Sequence, residues 1–297
     1  MTVAELGGVS AAAEHLGYAQ SSLSAQLSRL ERELGINVLN RTKSGTMLNE
    51  AGRRLLPYAR EALDLHDRMC RAVLGSRPGL RVGALETLAY EWLPDILVAL
   101  EHGRGGPGTQ AEVTLSVGNR NRLTNDLSSG QLDLVFLFDN GGSDISPRTV
   151  IGEDQTMLVA APEHPLARAD ALTMDALLDT EFLIAEPGCT TQMLVDRFGR
   201  DLTHRAPIGM VTGSLGALLG MLTHGRGVAL LPYLAVVRYL ESGELVRLEL
   251  PTGLLAPVRI EARWRTGLGP ADRVVQALLG LARRHTTPQP GQAAQTA

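Results

Sequence analysis

The sequence is short of lysine and cysteine and has no long apolar run, and each shortage narrows what the protein can be. Lys43 is the only lysine among the 28 lysines and arginines of a 297-residue chain. The bias runs along the whole chain, which fits an arginine-favouring codon usage better than a special site. The two cysteines, Cys70 and Cys189, lie far apart and have no metal-ligand spacing. A disulfide framework is therefore not expected, which suits a reducing cytoplasm. No run of about eighteen apolar residues exists to span a bilayer. No basic segment followed by an apolar one opens the chain, so no secretory signal is expected. These absences together predict a cytoplasmic protein with no membrane partner.

Catalytic signatures are missing as well. The nearest string to a G-x-S-x-G elbow, T-G-S-L-G at 212–216, has the wrong spacing. G-R-G at 225–227 lacks the third glycine and the strand-to-helix setting of a dinucleotide loop. The seven histidines form no H-x-x-x-H pair and no Cys/His cluster. Neither an enzyme nor a resident metal or cofactor is expected.

What is present is enough for one small domain and one larger one. Hydrophobic residues make up 44% of the chain, so a sizeable core can form. The net charge of −4 does not announce nucleic-acid binding, but its distribution is uneven. The first sixty or so residues carry about two net positive charges, through Arg29, Arg32, Arg41, Lys43, Arg53 and Arg54, and the remainder is acidic.

Residues 1–49 are dense in short helical signals, and 50–75 read as one long helix. Gly75, Pro78 and Gly79 then punctuate the chain. Beyond them strands alternate with helices. LRVGAL is followed by a helical stretch that Pro94 kinks or starts, and AEVTLSV, RNRLTNDLSSG and LDLVFLF continue the alternation. TMLVAAP, DALLD, FLIAE, TTQMLVDRFG, IGMVTG, GVALLP and VRIEARW follow. Such alternation predicts a parallel or mixed sheet with helices on both faces. The tail after residue 286 is polar and Pro-containing, with the composition of disorder.

In the first segment, Ser10 can cap a helix through AAAEHL, and its alanines keep that helix thin. Gly17 permits the tight turn into a second helix opened by Gln20 or Ser21. Leu23, Leu27, Leu30 and Leu34 make one apolar stripe on it. The opposite face carries Ser21, Ser22, Ser24, Gln26, Ser28, Arg29 and Arg32. A major groove accepts such a helix N-terminus, where Gln and Ser reach base edges or phosphates. INVLNRTKSGTMLN then reads as strand, turn at 43–45, and strand: a wing that puts Arg41 and Lys43 near the backbone. A small helical core with solvated polar faces fits the same pattern.

The run GGVSAAAEHLGYAQSSLSAQLSRLERELGINVLNRTKSGTMLNEAG resembles the DNA-binding region of LysR-type transcription regulators. The match lies in G-x-x-S-x-A-A-x-x-L, Q-S-x-L-S, R-L-E-x-E-L-G and L-x-E-A-G. The resemblance implies a winged helix-turn-helix over 1–49 that contacts DNA through Gln20, Ser21, Ser22, Ser24, Gln26, Arg29, Arg41 and Lys43. Two departures stand out: Ala25 occupies a position usually basic in the family, and Leu39 one usually held by a larger residue. Family members also carry further residues before Thr2 that form most of a first helix, so either the natural start lies upstream, the favoured expectation, or the DNA-binding core lacks that helix.

Residues 50–77 form the linker in this reading. Leu56, Ala59, Leu63, His66, Cys70 and Val73 recur at three-four spacing, which fits a coiled-coil seam or packing on the chain's own body. The resemblance favours dimerisation, setting two recognition helices on an interrupted palindrome. Pro57 should bend the helix early. His66 and Cys70 read as packed bystanders.

From 79 to 286 the alternation resembles the family's effector domain, two α/β lobes with the fold of type-2 periplasmic binding proteins. Lobe I is expected at about 79–150 and 266–286, lobe II at about 151–265, with a disordered tail at 287–297. The implied effector contacts are Glu86, Thr87, Asn119, Arg120, Gly188, Cys189, Thr190, Thr191 and Ser214. Backbone N–H groups where strands open into helices suit an anion, although Glu86 would oppose one. Cys189 beside such a helix start could have a lowered pKa or simply pack in its loop, and Arg120 could equally be solvated. The implied partners are double-stranded DNA, a small-molecule co-inducer, RNA polymerase, and further copies of the chain as homodimer or homotetramer.

Overall fold

Alanine at positions 12 and 13 sets how the N-terminal helices meet. The computed structural model describes residues 1–42, 45–74, 78–139, 146–169, 172–185, 208–250 and 255–285. The chain divides into two compact units, one built mainly from residues up to 74 and the other from 78 onward.

In the first unit, α1 (Thr2–Leu6), α2 (Val9–Leu16) and α3 (Gln20–Leu34) precede a hairpin and a long helix. Ala12 and Ala13 are fully buried, so α3 packs closely across α2 around Leu23 and Val3. Gly17 turns between them at φ 70°, and the Tyr18 N–H closes the turn on the Ala13 carbonyl at 2.8 Å. Gly8, not Ser10, occupies the N-cap of α2, because the helix already begins at Val9. The α3 stripe is buried at Leu23 and half-buried at Leu27. Leu30 and Leu34 remain 40% and 43% exposed, so the expected buried stripe covers only the first half of the helix. The core cluster of this unit gathers under Leu23 and does not extend along α3 to them.

The hairpin pairs β1 (Leu39–Thr42) with β2 (Gly45–Leu48), antiparallel. Glu31 of α3 anchors it, its Oε1 accepting from the N–H groups of Val38 at 2.9 Å and Leu39 at 3.3 Å. Asn49 then caps α4 (Glu50–Val73) by accepting from the Gly52 N–H at 2.8 Å, and its side chain donates to the Asn37 carbonyl at 2.7 Å. A Cβ at Gly52 would stand 2.1 Å from the Val38 carbonyl oxygen, so only glycine lets α4 start this close to the hairpin. Pro57 lies inside α4.

The second unit holds two lobes. In the first, β3 (Gly79–Ala84) lies between β4 (Glu112–Val117) and β5 (Leu134–Phe138), parallel to both. β12 (Val258–Trp264) runs antiparallel between β5 and β6 (Arg148–Asp154), giving the order β4-β3-β5-β12-β6. Helices α5 (Glu86–Glu91), α6 (Leu93–Glu101), α7 (Arg120–Ser128) and α11 (Pro270–Arg284) accompany this sheet. α5 and α6 break at Trp92, with Pro94 in the first turn of α6. Trp92 is buried edge-on against Phe136, ring centroids 5.5 Å apart.

In the second lobe, β7 (Thr156–Ala160) is the centre of β10-β7-β11, with β10 (Ala229–Pro232) and β11 (Val246–Arg247) antiparallel to it. Met157 and Val159 enter one core cluster while Leu158 and Ala160 enter another, so β7 is covered on both faces. β8 (Phe182–Ile184) and β9 (Ile208–Val211) form a parallel pair beside it. α8 (Met174–Leu178), α9 (Leu215–Thr223) and α10 (Tyr233–Ser242) complete the described elements.

The strand at 258–264 corrects the expected lobe boundary. It belongs to the first lobe's sheet, with Ile260 and Ala262 fully buried between β5 and β6. Residues 75–77 of the expected linker, and the tail from 286, lie outside the described residues.

Asp133 organises one end of the five-stranded sheet. Its carboxylate is 3% exposed and accepts from the Arg81 N–H at 2.8 Å and from the Arg81 guanidinium at 3.0 and 2.7 Å, with Arg265 at 3.5 Å. Removing this carboxylate takes away the acceptor and counter-charge shared by Arg81, 34% exposed, and Arg265, 17% exposed. Asp133→Ala is expected to cost about 3 kcal/mol, a Tm loss of roughly 6–12 °C. Thermal unfolding followed by circular dichroism checks this; an unchanged Tm would remove Asp133 from the fold's determinants.

Candidate functional site

Two surfaces concentrate the expected functional residues. In the first unit, α3 begins after Ala19, which makes no side-chain cap, so its first-turn N–H groups have no side-chain partner from that position. Gln20, Ser21, Ser22, Ala25, Gln26 and Arg29 are exposed on this helix, and Ser24 is half-buried. Leu23 is buried and holds the helix to Ala12 and Ala13. Arg29 donates from Nε to Glu33 at 2.8 Å, an exposed pair one turn apart. Arg41 lies in β1, and Lys43 lies outside the described residues. The arrangement is a polar helix face with an open N-terminus, followed by a two-stranded hairpin. Sequence reading missed Glu31, whose contribution is to seat the hairpin on α3.

Along α4, Leu63, Met69 and Val73 are 54%, 58% and 87% exposed within the single chain. The Cys70 thiol is exposed and stands 3.7 Å from His66 Nε2.

The second surface is the cleft between the two lobes, a cavity of about 270 Å³. The β3–α5 junction contributes Glu86 and Thr87, the end of β4 contributes Val117 and Asn119, and the start of α9 contributes Gly213 and Ser214. Phe138, Ala185, Leu231 and Pro232 supply apolar wall that sequence reading did not single out. Pro232 ends β10 and is the N-cap residue of α10.

Glu86 crosses the cleft. Its carboxylate accepts from the Leu215 N–H at 2.9 Å and the Gly216 N–H at 3.3 Å, the first turn of α9 in the other lobe. The anion that completes this helix terminus is therefore part of the chain. Ser214 is the N-cap residue of α9 and makes no side-chain cap. Asn119 turns its Oδ1 inward to the Arg122 N–H at 2.9 Å, capping α7. Arg120 is not part of the cleft wall: its guanidinium donates to the Phe138 carbonyl within the first lobe. Gly188, Cys189, Thr190 and Thr191 lie outside the described residues.

The chain passes between the lobes beside Asp154, at the end of β6. Asp154 is 3% exposed and accepts from the Leu234 N–H at 3.0 Å, capping α10. Nearby, the Thr156 hydroxyl donates to the Ala256 carbonyl at 3.0 Å, tying the outgoing crossover to the returning one. Burial pushes the Asp154 carboxyl up to about 6, against the opposing hydrogen bonds from Leu234 and Gln155.

Known proteins share this organisation. Residues 75–287 match the family described as the LysR substrate binding domain, and residues 1–53 match the bacterial regulatory helix-turn-helix proteins of the lysR family. A RuBisCO operon transcriptional regulator from Allochromatium vinosum is 27% identical over 258 residues, covering 84% of this chain and 82% of its own. Among solved structures, ArgP from Mycobacterium tuberculosis superposes with a TM-score of 0.70 at 18% identity, over 97% of this chain and 96% of that one. Full-length CbnR in complex with its target DNA gives 0.65 at 22% identity, over 94% and 96%. At these identities the structures establish the fold. Among the described residues no helix is long and apolar enough to cross a membrane.

The buried Asp154 carboxyl gives a pH signature at the crossover. Its folded pKa lies above the ordinary value of 3.8, so ionisation opposes folding, and its penalty grows as pH rises from about 4 to above 6. Asp154→Asn keeps an acceptor for Leu234 and cannot ionise. The variant's stability relative to the natural chain is expected to rise across that window by up to roughly 3 kcal/mol and to level off above it. Paired thermal melts between pH 4 and 7.5 check this; a difference that stays flat with pH would show that the carboxyl ionises as freely folded as unfolded.

Proposed function

The chain belongs to the LysR-type regulators, as a DNA-binding transcription regulator with an effector-binding domain, and from that premise we propose how its two surfaces divide the work. The α3 face reads an interrupted palindrome in the major groove of double-stranded DNA, and the hairpin follows the flanking backbone. The carrying observation is that Gln20, Ser21, Ser22 and Gln26 are all exposed in the first two turns of a helix that Leu23 fixes to Ala12 and Ala13. Gln26 and the serines are the direct readers, while Arg29, Arg41 and Lys43 serve phosphates. The fold shared with a regulator solved on its target DNA supports this division.

α4 pairs with α4 of a second copy through the seam Leu56, Ala59, Leu63, His66, Cys70 and Val73, and two such dimers occupy the site together. A small-molecule co-inducer enters the interlobe cleft against Glu86, Thr87, Asn119 and Ser214. Gly188, Cys189, Thr190 and Thr191 belong to the same proposed site. It acts by binding two arrangements of the lobes unequally, which is what any ligand-driven switch requires. RNA polymerase is the downstream partner, in the cytoplasm, and no catalytic step or resident cofactor is involved.

Ala25 supplies the sharpest test, because it is exposed on α3 where family members usually carry a basic residue. On duplex DNA from upstream of the protein's own gene, Ala25→Arg is expected to tighten binding on all sequences alike and to steepen the log K against log[salt] slope by about 1. Gln26→Ala is expected to cost about 1–3 kcal/mol on the specific site and little on random DNA. A footprint with salt titration reads both. Equal effects of Gln26→Ala on specific and random DNA would remove α3 as the sequence reader.

A further inference from the structure

The chemistry of the cleft says which kind of effector it takes. Glu86 is the only charged side chain among its described lining residues. The place where a ligand carboxylate or phosphate would otherwise find free helix N–H groups, the first turn of α9, is already filled by the Glu86 carboxylate at 2.9 and 3.3 Å. An incoming anion would meet both an occupied seat and a like charge. The cation that the sequence offers near the cleft, Arg120, is turned into the first lobe against the Phe138 carbonyl. The remaining polar groups, Thr87, Asn119 and Ser214, carry no charge, and Leu85, Phe138 and Leu231 make the rest of the wall apolar. At about 270 Å³ the cavity has the size of a metabolite rather than of a polymer segment.

We propose that the cleft takes a small organic cation, an ammonium or guanidinium on a short apolar stem, with Glu86 as its counter-ion. The inference rests on the effector-cleft reading above and specifies the ligand class. The two α9 N–H groups hold Glu86 in a fixed direction from the opposite lobe, so the counter-ion is positioned before the ligand arrives. A carboxylate has room for further donors after accepting two N–H bonds, so the cation adds to that arrangement without dismantling it. A guanidinium can engage such a carboxylate with two donors at once. Because the first lobe supplies the carboxylate and the second orients it, the complete site exists only when the lobes stand as they do here. That gives the ligand a reason to prefer this arrangement over any other.

The test uses the full chain and four probes of matched stem: n-butylguanidinium, n-butylammonium, butyramide and butyrate. Calorimetric titration and thermal shift are run on the natural chain, on Glu86→Gln, and on Val117→Trp, which fills the cleft from a half-exposed strand end. The expected result is saturable binding of the two cations at least tenfold tighter than of butyramide, with butyrate weakest. Glu86→Gln should lose that preference, and Val117→Trp should lose binding altogether. The charge series on the natural chain stands by itself if Glu86→Gln fails to fold. Butyrate binding as tightly as the cations, and blocked by Val117→Trp, would overturn the cation inference and leave the effector cleft standing. Cation binding that survives both substitutions would overturn the inference and place the binding elsewhere. The absence of saturable binding by either cation up to a few tens of millimolar would also overturn it.

Discussion

Two neighbouring antiparallel strands carry the connection between the effector lobes, and the geometry of the cleft depends on them. β6 leaves the first sheet at Asp154, and β12 returns to it at Val258, directly opposite in the register. Thr156 ties the two crossings together through Ala256, and Asp154 fastens them to the first turn of α10. The lobes are therefore joined by a short paired ribbon and not by two independent tethers. Such a ribbon can bend while keeping the lobes in register, the usual behaviour of hinges confined to a few element-terminal residues.

The element pattern of this fold was largely open to sequence reading, and its failures have physical causes. Strands such as LVFLF at Leu134–Phe138 are apolar throughout because helices cover both faces, and they stand out for that reason. Strand 258–264 was read as a strand but placed in the wrong lobe. Periodicity gives an element's type, while its partners lie more than a hundred residues earlier in β5 and β6. Its buried Glu261 and Arg263 pair with each other inside the sheet, which no pattern of alternating polarity anticipates. β6, with a glycine and charges at both ends, gave no strand signal at all, and α10 follows β10 without a loop between them.

The candidate sites divide along the same line. The α3 face could be read because one helix carries nearly all of it, so spacing alone puts Ser21, Ala25, Ser28 and Arg32 on the side opposite Leu23, with Ser22 and Arg29 beside them. The cleft could be read only as a set of junctions. Glu86, Asn119 and Ser214 do converge on it. Arg120 occupies a similar position at the start of α7, yet its long side chain found the Phe138 carbonyl instead. Sequence fixes where such a residue's backbone sits, and packing decides which way its guanidinium goes. The bond from Glu86 to Leu215 spans 129 positions, and nothing local to either residue announces it.

That bond also sets the energy scale on which this regulator can respond. A hydrogen bond to a charged group contributes about 1.5–3 kcal/mol net when shielded from water. Glu86 is half-buried and makes two of unequal length, so this tie contributes a few kcal/mol at most. A ligand binding at millimolar affinity contributes about 4 kcal/mol at the standard state, the same order. A much stronger tie would lock the lobes beyond the reach of any metabolite. With no tie at all, the counter-ion would have no fixed direction, and a ligand would have little to distinguish one arrangement from another. A carboxylate held by two backbone N–H groups across a narrow apolar cleft lies between those limits, where the arrival of one small molecule can decide the balance.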